Sequence, residues 1–190
     1  MRIIAGSARG RRLLTPKDTS IRPTADRVKE SLFNILTVLR GNFAGQRVLD
    51  ICAGTGNLGI EALSRGGAAA VFIDEDRDAA DLIVRNLALA GFADRGKLLR
   101  LEAAAALKLL EQSEDPFDII FLDPPYGKGT AARVMNYLSN STLMDNGTTV
   151  VIETASGEDL PTSFGRFTEF DSRRYGETAL HFFARTNDDA

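Results

Sequence analysis

Short apolar runs bounded by turn-forming residues recur along the chain, at residues 47–51, 70–73, 97–101, 118–122, 148–153, 164–170 and 178–185. Their length and their content of Val, Ile and Phe predict seven β-strands. Between the first five lie segments with apolar residues at helical spacing, 60–65, 79–89, 103–110 and 131–138. Strand alternating with helix predicts an α/β fold, a mostly parallel sheet with helices on both faces. No helix-length segment separates the last two strands, so they are expected to form an antiparallel hairpin turning near 171–176. Ahead of the first strand, residues 25–39 gather Val28, Leu32, Phe33, Ile35, Leu36 and Leu39 on one face. They predict a helix capped by Thr24 or Asp26.

Size and composition narrow the class. The chain has 190 residues, 44% of them apolar, and a formal net charge of −3, enough for one core that needs no metal or disulfide staple. Cys52 is the one cysteine, so no internal disulfide can form, which fits a reducing compartment. No segment approaches the roughly 20 apolar residues needed to span a bilayer. The start, with Arg2, Arg9, Arg11 and Arg12 around a short apolar piece, does not resemble a signal peptide. The expectation is a cytoplasmic monomer without membrane contact. One histidine, His181, and one cysteine predict no transition-metal site.

The small net charge hides an asymmetry. Residues 1–29 hold eight cations and two anions, a local charge of +6, which leaves −9 for the rest. A basic arm on an acidic body suits a polyanion partner, because Lys and Arg release counterions from a phosphate backbone. Gly6, Ser7, Gly10 and Thr15 are interleaved with Arg9, Arg11 and Arg12, which permits close approach to phosphates. The competing reading is a solvated tail.

The first strand runs into Asp50-Ile-Cys-Ala-Gly-Thr-Gly-Asn-Leu-Gly59, in which Gly54, Gly56 and Gly59 have the spacing of a nucleotide-binding turn and Asp74 follows twenty residues after Gly54. Glycines there let a ligand approach the backbone at a helix N-terminus, and an acid at the end of the next strand can hold two ribose hydroxyls. NAD and S-adenosylmethionine both fit that description. Asp50, four residues before the first glycine, favours the second: a carboxylate repels a pyrophosphate and attracts an ammonium and a sulfonium. The donor pocket is therefore placed at Asp50, Ala53, Gly54, Thr55, Gly56, Asp74 and Glu75. Cys52 lies inside the loop with no sequence neighbour to lower its thiol pKa and is read as a packing residue.

A second motif carries the chemistry. The apolar strand 118–122 ends in Asp123-Pro124-Pro125-Tyr126. Two prolines in series end the sheet and stiffen the turn, which fixes the Asp123 carboxylate and the Pro124 carbonyl as a pair of acceptors. The lone pair of an exocyclic amine is delocalised into its ring. Two acceptors on its hydrogens favour a more pyramidal nitrogen able to attack a methyl carbon in line with a departing sulfur. Tyr126 offers a flat face for stacking a base drawn out of its helix.

With these motifs on one chain, the sequence resembles the class I S-adenosylmethionine-dependent methyltransferases with an Asp-Pro-Pro-Tyr motif, and among them the bacterial 16S ribosomal RNA guanine-N2 methyltransferases of the RsmD type. The resemblance runs almost end to end, through residues 2–6 and 9–13, the Arg22-Pro-Thr block to Leu36, residues 50–67, 123–126 and Tyr175-Gly-Glu-Thr178. It implies a Rossmann-like class I methyltransferase fold, S-adenosylmethionine as donor, and a 16S rRNA or small-subunit assembly particle as partner. It also implies that Asp123, Pro124, Pro125 and Tyr126 handle the target amine, that Arg9, Arg11 and Arg12 contact RNA, and that Arg22, Thr24 and Arg27 border the active site. On this reading residues 1–40 are a basic extension with its helix, 41–186 one methyltransferase domain and 187–190 a frayed tail. One departure stands out. Many relatives carry an Asp or Asn after the third strand for the adenine amine, whereas this chain reads Leu101-Glu-Ala-Ala-Ala-Ala106, so Glu102 or a backbone group must serve. The competing functions are an adenine-N6 methyltransferase acting on DNA or RNA, a non-catalytic ribosome-assembly RNA-binding protein, and an NAD-dependent oxidoreductase.

Overall fold

The computed structural model describes residues 1–16 and 26–185. Arg22, Thr24 and the tail 187–190 lie outside the described residues. The elements follow one another as α1 (Asp26–Arg40), β1 (Arg47–Ile51), α2 (Asn57–Ser64), β2 (Ala69–Ile73), α3 (Arg77–Ala90), β3 (Gly96–Leu99), α4 (Ala103–Leu110), β4 (Ile119–Leu122), α5 (Thr130–Leu138), β5 (Thr149–Ala155), β6 (Ser163–Phe164), β7 (Phe167–Tyr175) and β8 (Thr178–Arg185). The strands form one sheet in the order β3-β2-β1-β4-β5-β8-β7-β6, parallel from β3 to β5 and antiparallel beyond.

The strand alternation is borne out, with three corrections. The sheet has eight strands rather than seven, because the two residues of β6 pair with the start of β7. β7 continues through polar Asp171–Tyr175, so the hairpin turn is confined to Gly176 and Glu177. Antiparallel pairing satisfies the backbone whatever the side chains, and one exposed face lets them be polar. α2 begins at Asn57, three residues earlier than apolar spacing suggests, because Gly56 at φ 75° turns the chain directly into it. Asp26 is a helical residue of α1 that pairs with Arg2 at 3.1 Å.

Because side chains alternate across a strand, the sheet has two distinct apolar faces. On one, Val48, Phe72, Phe121, Val151, Leu180 and Phe182 pack under α1, α2 and α3. On the other, Leu49, Ile51, Ile120, Leu122 and Ile152 pack under α4 and α5. No helix among the described residues is long and apolar enough to cross a membrane.

The N-terminal arm is part of this structure. Ile3, Ala8 and Leu13 are buried in the first cluster, and Arg2 and Arg12 form an antiparallel bridge that closes a turn over residues 3–11. Its backbone is tied to α2, where Ile4 and Ala5 donate to the Glu61 carboxylate at 2.8 and 2.9 Å and Ala8 donates to Ser64 Oγ at 3.0 Å. At Gly6, φ is 82° and an added Cβ would lie 1.8 Å from the carbonyl oxygen of Ser64, so only glycine permits this approach.

Beneath the arm lies a buried ion pair. Lys29 of α1 and Glu61 of α2 are both fully buried, with Nζ and Oε2 3.2 Å apart. Lys29 also donates to the carbonyl of Arg2 at 2.6 Å and to Oδ1 of Asn57 at 2.7 Å, and Arg65 donates to Glu61 at 2.9 Å. Burial lowers the Lys29 pKa against the opposing pull of Glu61. One ammonium thus joins the arm, α1 and the residue that follows the glycine loop.

Candidate active site

The sheet reverses its winding between β1 and β4, and in such sheets ligands bind outside the carboxyl ends of the strands at that point. The loops there stay tied to the ladder. Ala53 donates to Ile73 at 3.0 Å, Asp74 to Leu99 at 3.3 Å and Asp123 to Ile51 at 3.2 Å.

The glycine loop is held from below. Gly59 donates to Oδ2 of Asp50 at 2.8 Å, and Gly54 donates to Oδ2 of Asp74 at 2.8 Å. Gly59 is also a packing requirement, since a Cβ there would sit 2.4 Å from Cε1 of Phe72 and 3.1 Å from Asp50 Oδ2. Cys52 adopts φ 58°, a left-handed conformation rare outside glycine, and so bends the chain out of β1. Burial, with surrounding acids, pushes its thiol up to about 12, which leaves it inert and agrees with the packing reading.

Asp50 is 1% exposed. Burial raises its pKa to about 7, opposed by the bond from Gly59 and reinforced by Asp74. Its oxygen fastens the loop, a task that sequence spacing does not reveal. Asp74 is half-buried and accepts a second backbone bond, from Asp76 at 3.0 Å, while Glu75 is exposed. Asp76 caps α3 by accepting from Ala79. Glu102 caps α4, its Oε2 accepting from Ala104 at 2.9 Å and Ala105 at 3.2 Å, so that oxygen is already engaged.

Across the switch point, Asp123 leaves β4 one residue beyond Leu122, which is paired with Ile152 of β5. Glu153 therefore stands at the same height within the adjacent strand. By the same alternation Asp50, Asp123 and Glu153 all point to the α1 side of the sheet, and they form an acidic floor across three neighbouring strands. Burial raises Asp123 well above the usual carboxylate range, with the charges of Glu153 and then Asp50 adding to it. Pro124 is buried, and Pro125 and Tyr126 are exposed at the rim. The Tyr126 hydroxyl donates to Glu153 Oε1 at 3.0 Å and lies 3.4 Å from Thr178 Oγ1 of β8, while 38% of the residue faces solvent. Burial raises this phenol to about 12, so it stays protonated and donates. Ser31 of α1 and Tyr175 of β7, the residue paired with Thr178, are joined hydroxyl to hydroxyl.

The family described as Conserved hypothetical protein 95 matches residues 1–184. The chain belongs to this family, that of the RsmD-type methyltransferases. It is 34% identical over 187 residues to Ribosomal RNA small subunit methyltransferase D of Escherichia coli strain K12, covering 97% of this chain and 90% of that one. The solved structure of Escherichia coli YhhF superposes with a TM-score of 0.82 at 32% identity, over 97% of both chains. A methyltransferase-fold protein solved in complex with SAH shares the fold alone, at 15% identity and TM-score 0.65 over 83% of this chain and 48% of that one. The chain is thus a class I methyltransferase, and the RsmD resemblance noted from its motifs is borne out.

The basic arm packs beside the glycine loop. Arg9, Arg11 and Arg12 are exposed, but the turn that carries them rests on the carboxyl ends of α2 and α3, where Arg11 donates to the carbonyl of Leu89 at 3.0 Å. The same arm reaches the donor loop through Asn86 of α3, which is bonded to the backbone of Leu14 at 2.7 and 3.1 Å and donates to the carbonyl of Thr55 at 2.9 Å. Arg27, by contrast, is exposed on the first turn of α1. His181 is held between Glu169 at 2.8 Å and Thr154 at 3.1 Å, away from the acidic floor, as a structural residue.

Proposed function

We propose that this protein transfers a methyl group from S-adenosylmethionine to the N2 amine of a guanine in 16S ribosomal RNA. The observation that carries the reading is Asp123, set at the end of β4 beside a glycine loop whose own acids, Asp50 and Asp74, close it by hydrogen bonds. The acidic floor suits a cationic donor and opposes a pyrophosphate, which disfavours NAD. When bound, the donor supplies an electrophilic methyl carbon on a sulfonium. Gly54, Thr55 and Gly56 border it, Asp74 is placed for the ribose, and Asp50 sets the loop and the local charge. Oε2 of Glu102 caps α4, and the adenine amine falls to the other oxygen of Glu102 or to a backbone acceptor.

Asp123 and the Pro124 carbonyl accept from the two amine hydrogens, and Tyr126 stacks on the extruded base. The nitrogen forms its bond to carbon as the carbon–sulfur pair departs on sulfur, and the methylated nitrogen then gives one proton to Asp123. Rate enhancement comes from proximity and fixed acceptors. Motif and rim serve an adenine N6 amine equally well. Guanine is preferred on the family relationship, since the relative at 34% identity is a small-subunit RNA methyltransferase.

The test uses small-subunit particles from cells lacking this gene, incubated with the protein and labelled S-adenosylmethionine, with nucleosides then identified by mass. N2-methylguanosine supports the reading. N6-methyladenosine overturns the base, and absence of label overturns the substrate.

The arm's arginines are assigned to RNA phosphates. Replacing Arg9, Arg11 and Arg12 by alanine should weaken RNA binding and lower the salt slope by about one unit per lost phosphate contact. Titrations at several salt concentrations would read this, and an unchanged slope would remove the arm from the interface.

A further inference from the structure

We propose that Glu153 is a positioning residue of the methyl-transfer site, acting through Tyr126 and Asp123 without touching the base. The inference rests on the methyl-transfer reading above but concerns a residue that neither motif contains.

Three observations carry it. Glu153 is 7% exposed, the last acid before β5 ends, and stands at the height of Asp123 on the adjacent strand. A carboxylate in so dry a position persists only where hydrogen bonds hold it. One of these comes from the rim, the Tyr126 hydroxyl at 3.0 Å, with Thr178 3.4 Å from the same hydroxyl. Tyr126 follows two prolines and precedes Gly127 and Gly129, both at positive φ, and the residue after it is held by one long bond, from Gly127 to Glu158 at 3.3 Å. A half-exposed ring on such a loop would sample several rotamers. Anchoring its hydroxyl to Glu153 and Thr178, on two strands of the sheet, fixes the plane on which a base stacks.

The second action is electrostatic. The groups facing Asp123 are Asp50 and Cys52 from the β1 side, Glu153 from β5 and Tyr126 from its own loop. Of these, Glu153 contributes most after burial to the raised proton affinity of Asp123. A carboxylate with higher proton affinity is a stronger acceptor for the amine hydrogens and a better recipient of the proton released after transfer. The cost is an acid limb at higher pH, because Asp123 must be ionised to accept from the amine. Glu153 therefore sets both where the base lies and the pH at which Asp123 works.

The two actions separate by substitution. Glu153→Gln keeps an oxygen for the Tyr126 hydroxyl but removes the charge, so the acid limb of kcat/KM for RNA should move down by about one pH unit. Tyr126→Phe keeps the charge and frees the ring, so kcat should fall about tenfold with the acid limb in place. Glu153→Ala should show both effects. Binding of S-adenosylhomocysteine by calorimetry should stay within about threefold throughout, which establishes that each variant is folded. An acid limb unmoved in Glu153→Gln, or a kcat within twofold of the parent in both Tyr126→Phe and Glu153→Ala, would overturn the proposal. If the parent protein itself leaves small-subunit RNA unlabelled, the substrate reading fails instead, and the two failures are distinguishable.

Discussion

Replacement of Asp123 by alanine should abolish methyl transfer while leaving the donor site intact. Its carboxylate is one of the two acceptors for the target amine, and removing a preorganised acceptor of this kind costs about 10²–10³ in kcat. Loss of the proton acceptor adds to that, so incorporation of labelled methyl should fall by about a thousandfold or more. Donor affinity should stay within about tenfold, since the bonds that shape the glycine loop run from Gly59 to Asp50 and from Gly54 to Asp74. Asp123→Asn, which keeps one acceptor and loses the charge, should fall between parent and alanine variant. A single-turnover assay alongside donor titration would read both quantities. If the alanine variant unfolds or loses the donor, Asp123 is a structural residue and the assignment of the amine site fails.

The largest effect on stability is expected at Lys29. Its ammonium serves Glu61, Arg2 and Asn57 inside a site closed to water. Lys29→Met removes that centre and leaves a buried carboxylate supported by Arg65 and two backbone amides. Breaking a buried pair on one side costs about 3–5 kcal/mol. For a domain of this size, a loss of about 3 kcal/mol corresponds to a fall in Tm of roughly 6–12 °C. The same change should free the arm, so trypsin should cut at Arg9, Arg11 and Arg12 under conditions in which the parent resists. Lys29→Met combined with Glu61→Leu should recover part of the loss, because the second change removes the uncompensated charge. A fall in Tm below about 2 °C for the single variant would show that Glu61 is satisfied without Lys29.

The parts of the fold that were legible in the sequence are those where a single local rule decides. β4 is a short continuous apolar run, Ile119–Leu122, because both faces of a parallel strand are buried. The glycine loop and Asp123–Tyr126 stand out because their backbone demands admit few residues. The buried pair was hidden because Lys29 and Glu61 are 32 positions apart in sequence and each reads as an ordinary solvated helix residue. A signal was present in α1, since Lys29 lies four residues before Phe33 and seven before Leu36 and so falls on the apolar face. Glu153 was hidden for a different reason. It ends an apolar run as any strand-edge acid does, and its importance depends on β5 lying beside β4, a neighbour relation that no local pattern encodes. The course of β7 through Asp171–Tyr175 was missed because its pairing with β8 does not depend on side-chain polarity.

The strand order also fixes when the enzyme can first work. The free edge of β5 is taken by β8, which comes last in the chain, while β6 and β7 are made earlier but lie outside it. During synthesis that edge must wait with its amides and carbonyls unpaired until the final strand leaves the ribosome. The Thr178 contact to Tyr126 and the Tyr175 contact to Ser31 both belong to this hairpin, so they form at that same late moment. A nascent chain with a finished glycine loop would hold a base on a ring anchored by Glu153 alone. Full activity is thus reserved for a polypeptide that carries β8, and stalled or truncated products lacking this eight-residue strand should expose a sticky edge.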